Sequence, residues 1–159
     1  MYKRQYLSIS GDGLRLAVGA HKNDGQGLSN SGHVRIYDWN GSNWIQIGDD
    51  IDGEEINDES GLSVSLSYDG SIVAIGARFN NGDGNSTGHV RVYQWNGTEW
   101  IKLGSDIFGE ATDDNFGFSV SLSSDGTQLA SSAPGNDEAG GGAGHVRICL
   151  LYTSPSPRD

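Results

Sequence analysis

The chain has 159 residues, a formal net charge of −11, 25 glycines, three prolines, one cysteine and one methionine. Gly in that number marks a chain of tight turns and excludes long helices, because Gly reaches positive φ without steric cost. The acidic balance excludes nucleic acid as a partner, and no run of about 18 apolar residues exists that could cross a membrane as a helix. Residues 6–10 alternate apolar with small polar side chains, as a half-buried strand does, and Asp12-Gly13 supplies the turn of a tight hairpin. Residues 14–20 mix aliphatic side chains with Ala and Gly, which suits a strand pressed between neighbouring sheets on both faces. A third strand is expected over 33–39, and Asn40-Gly41 turns it into a fourth over 44–48.

The same succession returns. Strands are expected over 63–67, 72–77, 89–95 and 100–104, with Asp69-Gly70 and Asn96-Gly97 as turns, and a third round begins over 119–123 and 128–133 around Asp125-Gly126. Unrelated landmarks share one spacing of 56 residues: His33, His89 and His145; Trp39 and Trp95; Trp44 and Trp100; Gly53 and Gly109; Gly61 and Gly117. A repeat of that length holding four short strands indicates propeller blades, since solenoid repeats are shorter and carry helical stretches. The expected fold is therefore all-β, a partial β-propeller of about two and a half four-stranded antiparallel blades.

The two ends fall outside this pattern. The third copy opens as Gly144-His145-Val146-Arg147-Ile148 and then breaks, and residues 149–159 read as the translation of a transposase adaptor used in sequencing libraries. Residues 1–5 read as the reverse complement of the same adaptor. The expected organisation is 1–5 adaptor, 6–62 first repeat, 63–118 second repeat, 119–148 partial third repeat and 149–159 adaptor, so Cys149 carries no redox information. A closed propeller needs about four to eight blades, and the missing blades of a parent chain are the first expected partner.

The stretch Phe116-Gly117-Phe118-Ser119-Val120, followed by Ser132-Ala133-Pro134, resembles the FG-GAP repeat of integrin α-subunit propellers and of bacterial surface proteins. Weaker copies are Ser60-Gly61-Leu62-Ser63-Val64 with Gly76-Ala77-Arg78, and Gly19-Ala20-His21. The resemblance implies an extracellular or cell-surface adhesion propeller. Members of that family often carry a calcium loop of Asp-x-Asp-x-Asp-Gly type between the first two strands, where this chain has only short Asp-Gly turns.

Candidate sites follow from the same layout. His33, His89 and His145 are metal-ligand types, but each opens the third strand of its own repeat, so they are expected on a ring and in structural roles. Trp39 with Trp44, and Trp95 with Trp100, are expected to pair across hairpins and to serve structure. Arg35, Arg91 and Arg147 alternate with aliphatic residues and are expected to pair with carboxylates. The long connections gather on one rim, where Asn23, Asp24, Asn81, Asp83, Asn136 and Asp137 are the candidate binding residues. Asp24, Asp83, Asp137, Asp50 and Asp106 offer the hard oxygen ligands that calcium takes, with simple solvation as the competing reading. No nucleophile elbow, phosphate loop, Cys ladder or zinc helix occurs, so no catalytic residue is assigned. Asn40, Asn85 and Asn96 fit the glycosylation pattern, two of them explained by the Asn-Gly turn itself. The expected function is a non-catalytic module contacting protein or glycan through its rim. Its alternatives are an accessory propeller of a secreted hydrolase and a lectin stacking sugars on tryptophan.

Overall fold

The computed structural model describes residues 5–82 and 84–151, and they form three antiparallel sheets joined in chain order. The first holds β1 (Tyr6–Ile9), β2 (Arg15–Gly19), β3 (His33–Trp39), β4 (Trp44–Gln46) and β5 (Ile51–Asp52). The second repeats it as β6 (Ser63–Leu66), β7 (Ile72–Ala77), β8 (His89–Trp95), β9 (Trp100–Lys102) and β10 (Ile107–Phe108). The third holds β11 (Val120–Leu122), β12 (Gln128–Ala133) and β13 (His145–Leu150). One short 3-10 turn, Gly25–Gly27, is the helical content among the described residues, and no helix there is long and apolar enough to cross a membrane.

The alternating first strands, the small-residue second strands and the third strands stand where the sequence puts them. The outer edge differs. Instead of one fourth strand, β4 pairs with the end of β3 and β5 pairs with its start, Trp39 facing Trp44 and His33 facing Asp52. Gly48 (φ +68) breaks the edge between the two halves, and Gly104 (φ +67) does the same between β9 and β10. Positive φ turns the chain out of the ladder, so the expected single strand becomes two. Strand β13 also runs on through Cys149 and Leu150, which face Leu129 and Gln128. Of the expected adaptor stretches, residues 1–4 and 152–159 lie outside the described residues.

Two cores fill the gaps between the sheets. Ala17, Val34, Ile36 and Ile51 meet Leu66, Val73, Ile75 and Tyr93. Ile72, Ala74, Val90 and Val92 meet Phe116 and Leu129, with Val120 and Leu122 at the margin. The middle sheet is buried on both faces, which is why all six residues of β7 are buried.

Both gaps are closed by the same joint. Ser8 Oγ accepts a hydrogen bond from Leu66 N at 2.9 Å, and Ser65 Oγ accepts one from Leu122 N at 3.0 Å. Gly11 N donates to Tyr68 O, and Tyr68 N donates to Ser124 O. A Cβ on Gly19 would lie 2.1 Å from Gly61 O, and one on Gly76 would lie 2.1 Å from Gly117 O, so backbone touches backbone at both. The rim loops are strapped in parallel, with Ser60 N on Ser31 O and Phe116 N on Thr87 O. Beneath each strap is a buried carboxylate. Asp58 Oδ2 takes the Glu55 N–H and the Asn80 amide, and Asp114 Oδ2 takes the Glu110 and Ala111 N–H groups and the Asn136 amide. Burial pushes the Asp58 carboxyl above the ordinary range, against the hydrogen bond from Asn80 that favours its charged form.

Candidate functional site

A cleft of about 460 Å³ opens between the first and second sheets. The break at Gly48 sends Asp49, Asp50 and Asp52 along one wall, with Glu54 after them. The wall opposite is Arg91 and Tyr93 of β8 and Trp100 of β9, with Gln26 and Glu99 at the mouth. Alternation along β8 points Arg91 and Tyr93 to the same face of the sheet.

Most of these groups are held by one another. The Arg91 side chain is 4% exposed; its Nη1 donates to Glu54 Oε1 at 2.9 Å and its Nη2 to Asp52 O at 3.0 Å. Arg35 grips Asp50 with Nε at 2.9 Å and Nη2 at 2.8 Å, and the Gln46 amide adds a third bond at 2.8 Å. Those bonds, the guanidinium first, hold the Asp50 carboxyl below its ordinary range and raise Arg35. The Gln26 amide bonds Asp52 Oδ2 at 2.9 Å. Burial raises the Tyr93 hydroxyl, which therefore stays a neutral O–H donor at neutral pH. The side-chain carboxylates of Asp49 and Glu99 have no hydrogen bond or ion pair among the described residues. Of the five carboxylates that line the cleft, Asp50 is paired with Arg35 and Glu54 with Arg91, and the remaining Asp49, Asp52 and Glu99 leave a negative cleft that suits hydroxyl-rich ligands and repels phosphate.

The three histidines stand on three different sheets and share no ligand group among the described residues. His33 lies 3.8 Å from Asp50, and His145 lies 4.0 Å from Glu110. His89 is buried against Phe108, and burial, with the Arg91 charge next, brings its pKa down to about 4. Of the calcium candidates among the described residues, Asp50 alone joins other ligand types. It groups with His33 and Asp52, all three ligand atoms within 4.8 Å. The Arg35 grip supplies the positive charge there, so the set is an ion-pair network. Asp106 pairs with Lys102, Asp24 accepts from Asn30 N at 2.9 Å, and Asp137 accepts from Gly142 N at 2.6 Å. Asp83 lies outside the described residues.

The expected rim residues are likewise dispersed. Asn23 lends its carbonyl to Gly32 N, and Asn81 accepts from Ser86 N at 3.3 Å. Asn136 is 2% exposed and its amide is bound to Asp114, so it ties the loop. The tryptophans pair across their hairpins, Trp39 and Trp44 at 5.5 Å and Trp95 and Trp100 at 5.3 Å. Arg15 of the first sheet lies over both rings of the second pair, and Trp100 Nε1 donates to Ile47 O.

Residue-by-residue reading missed Glu54, Asp58, Arg91 and Tyr93 as a set. The repeat itself carried the signal, since Glu54 and Glu110, Asp58 and Asp114, and Asn80 and Asn136 keep the spacing of the histidines. Arg147 repeats Arg91, binding Glu110 at 3.2 Å and the Phe108 carbonyl.

The sheets and their shared joint define the class as an all-β, propeller-like fold. No family model and no curated protein matches the sequence. Among solved structures, the chain is similar to a protein from Bacteroides uniformis assigned as a 6-phosphogluconolactonase. The identity is 12% and the TM-score 0.61, over 93% of this chain and 37% of that one. It is also similar to the periplasmic gluconolactonase of Pseudomonas aeruginosa, at 18% identity and TM-score 0.55, over 84% of this chain and 37% of that one. The chain thus spans about 37% of the length of either. At these identities the likeness establishes the fold.

The FG-GAP resemblance is corrected by these findings: no such family model matches, and the similar propellers are lactonases. Its residues have a local cause. Phe116 is fully buried between sheets two and three, and Gly117 sits at φ +85, where a Cβ would lie 2.4 Å from His89 O. Packing and turn geometry suffice to favour Phe-Gly there. The expectation of a non-catalytic adhesion module is corrected as well: the solved propellers of this shape carry the names of enzymes.

Proposed function

We propose that this chain is part of a propeller enzyme that opens sugar lactones by hydrolysis, and that its three sheets are consecutive blades, the third without an outer strand among the described residues. The observation that carries this reading is the likeness over most of the chain to two propellers named as lactonases. In lactone opening, the oxygen of water bonds to the carbonyl carbon and the bond from that carbon to the ring oxygen breaks. One proton of water ends on the ring oxygen, and the product is a hydroxy acid.

The cleft between the first two sheets has the groups for this. Asp49, free of protein partners among the described residues, takes the proton from water, and the neutral Tyr93 hydroxyl donates to the developing alkoxide. Glu99 and Asp52 accept from substrate hydroxyls, and the Trp100 ring offers a face to the sugar. The acidic wall then repels the carboxylate product and favours its release.

The test is ring opening followed by acid release, with the chain added to glucono-δ-lactone and, separately, to 6-phosphogluconolactone. Saturable opening of the unphosphorylated lactone above the spontaneous rate is expected, with the phosphorylated one slower. Asp49→Asn should lower kcat about a hundredfold. Opening of both lactones at the buffer rate would overturn the proposal.

A further inference from the structure

The repeat separates the charges that a blade requires from those that the cleft adds. At the 56-residue spacing the ion-paired carboxylates recur, Asp50 as Asp106 and Glu54 as Glu110, and each is paired in its own copy. The three that no salt bridge reaches among the described residues do not recur. Ser105 and Phe108 stand in the second repeat where Asp49 and Asp52 stand in the first, and Asn43 stands in the first where Glu99 stands in the second. Folding of a blade therefore does not need these three charges, yet all three line one cleft.

Gathering them there is unfavourable in itself, since like charges repel. The hydroxyl beside them also lacks its bond. Tyr93 is 9% exposed, lines the cleft, and has no hydrogen-bond partner for its hydroxyl among the described residues. Buried polar groups almost always have one, which leaves that bond to whatever enters the cleft. Asp52 is held ready in the same space. The Gln26 amide fixes its Oδ2 at 2.9 Å from a backbone at φ +50, a conformation uncommon outside glycine. In the second gap Gly82 replaces Gln26 and lies against Phe108, where an added Cβ would be 2.7 Å from the ring, so an apolar contact takes the place of the amide and carboxylate.

We propose that the cleft takes an amino sugar, its ammonium held by Asp52 and Glu99 and its hydroxyls meeting the Tyr93 hydroxyl. An ammonium brings three N–H donors to carboxylates that only accept, and its charge cancels the repulsion among them. A neutral sugar fills the acceptors without cancelling the charge, and a phosphate adds to it. The inference rests on the reading of this cleft as the substrate site, and it narrows the lactone to that of an amino sugar.

Isothermal titration calorimetry on the full chain at neutral pH tests it with glucosamine, glucose and N-acetylglucosamine, the last of which keeps the nitrogen but not its charge. Glucosamine should bind at least about tenfold more tightly than either neutral sugar, and added salt should narrow the margin. Asp52→Asn and Glu99→Gln, with circular dichroism unchanged from wild type, should each bring glucosamine down toward glucose. Equal affinity of the wild type for glucosamine and N-acetylglucosamine, binding of none of the three, or a margin that survives in both variants would overturn the proposal. Ring opening of glucono-δ-lactone separates it from the lactone reading. Opening without a preference for the amine overturns this inference alone, whereas a preference for the amine without opening supports it and removes the lactone reading.

Discussion

Acid sensitivity at His89 is the sharpest energetic consequence of the fold. The ring is 1% exposed, neither nitrogen has a hydrogen-bond partner, and Arg91 adds a like charge, while Asp106 only partly opposes these effects. The unfolded chain takes a proton at this histidine as pH falls through 6.5, whereas the native ring stays neutral until about 4. Between those values the unfolded state binds more protons, so stability is fully present above pH 6.5 and is lost on acidification. The slope approaches about 1.4 kcal/mol per pH unit, and the loss by pH 4 is about 3 kcal/mol. That is a large part of the usual stability of a small domain, about 5–15 kcal/mol. Urea unfolding followed by tryptophan fluorescence, at steps between neutral pH and pH 4.5, measures it. His89→Phe keeps the ring volume and contact with Phe108 and gives up no hydrogen bond, so its stability should fall less steeply over the same range. Parallel curves for wild type and variant would refute the reasoning.

Two further variants probe the joint. Gly76→Ala places a methyl group 2.1 Å from Gly117 O and 2.3 Å from Ser63 Oγ, so about 2–3 kcal/mol should be lost in urea midpoint measurements. Asp114→Ala leaves the Glu110 and Ala111 N–H groups and the Asn136 amide without their acceptor, costing about 2–4 kcal/mol, and amide exchange at residues 110 and 111 should quicken.

What could be read in the sequence was what repeats locally. Hairpin turns at Asp12-Gly13 and Asn40-Gly41, and strict alternation over 63–67, gave inner and middle strands nearly at their observed bounds. The outer edge was hidden because Gly48 looks like the end of a strand, whereas its positive φ only offsets the ladder so that Ile51 and Asp52 rejoin β3. The cleft was hidden for a different reason. Glu54 and Arg91 are 37 residues apart and meet only because two sheets pack face to face. Asn136 was expected on the rim as a binding residue, and Asp58 and Asp114 drew no expectation, because polarity in a loop does not reveal burial, yet each is a buried partner in a strap. Phe116-Gly117 misled in the opposite sense, as a family signature that local packing accounts for.

The most direct test of the central claim is a crystal structure of this chain with gluconolactam, the neutral nitrogen analogue of the lactone that does not open under these conditions. The account predicts lactam density in the cleft between the first two sheets, its ring on Trp100 and its carbonyl within reach of Asp49 and Tyr93. Lactam bound elsewhere, or a cleft that stays empty in crystals soaked to saturation, would contradict it.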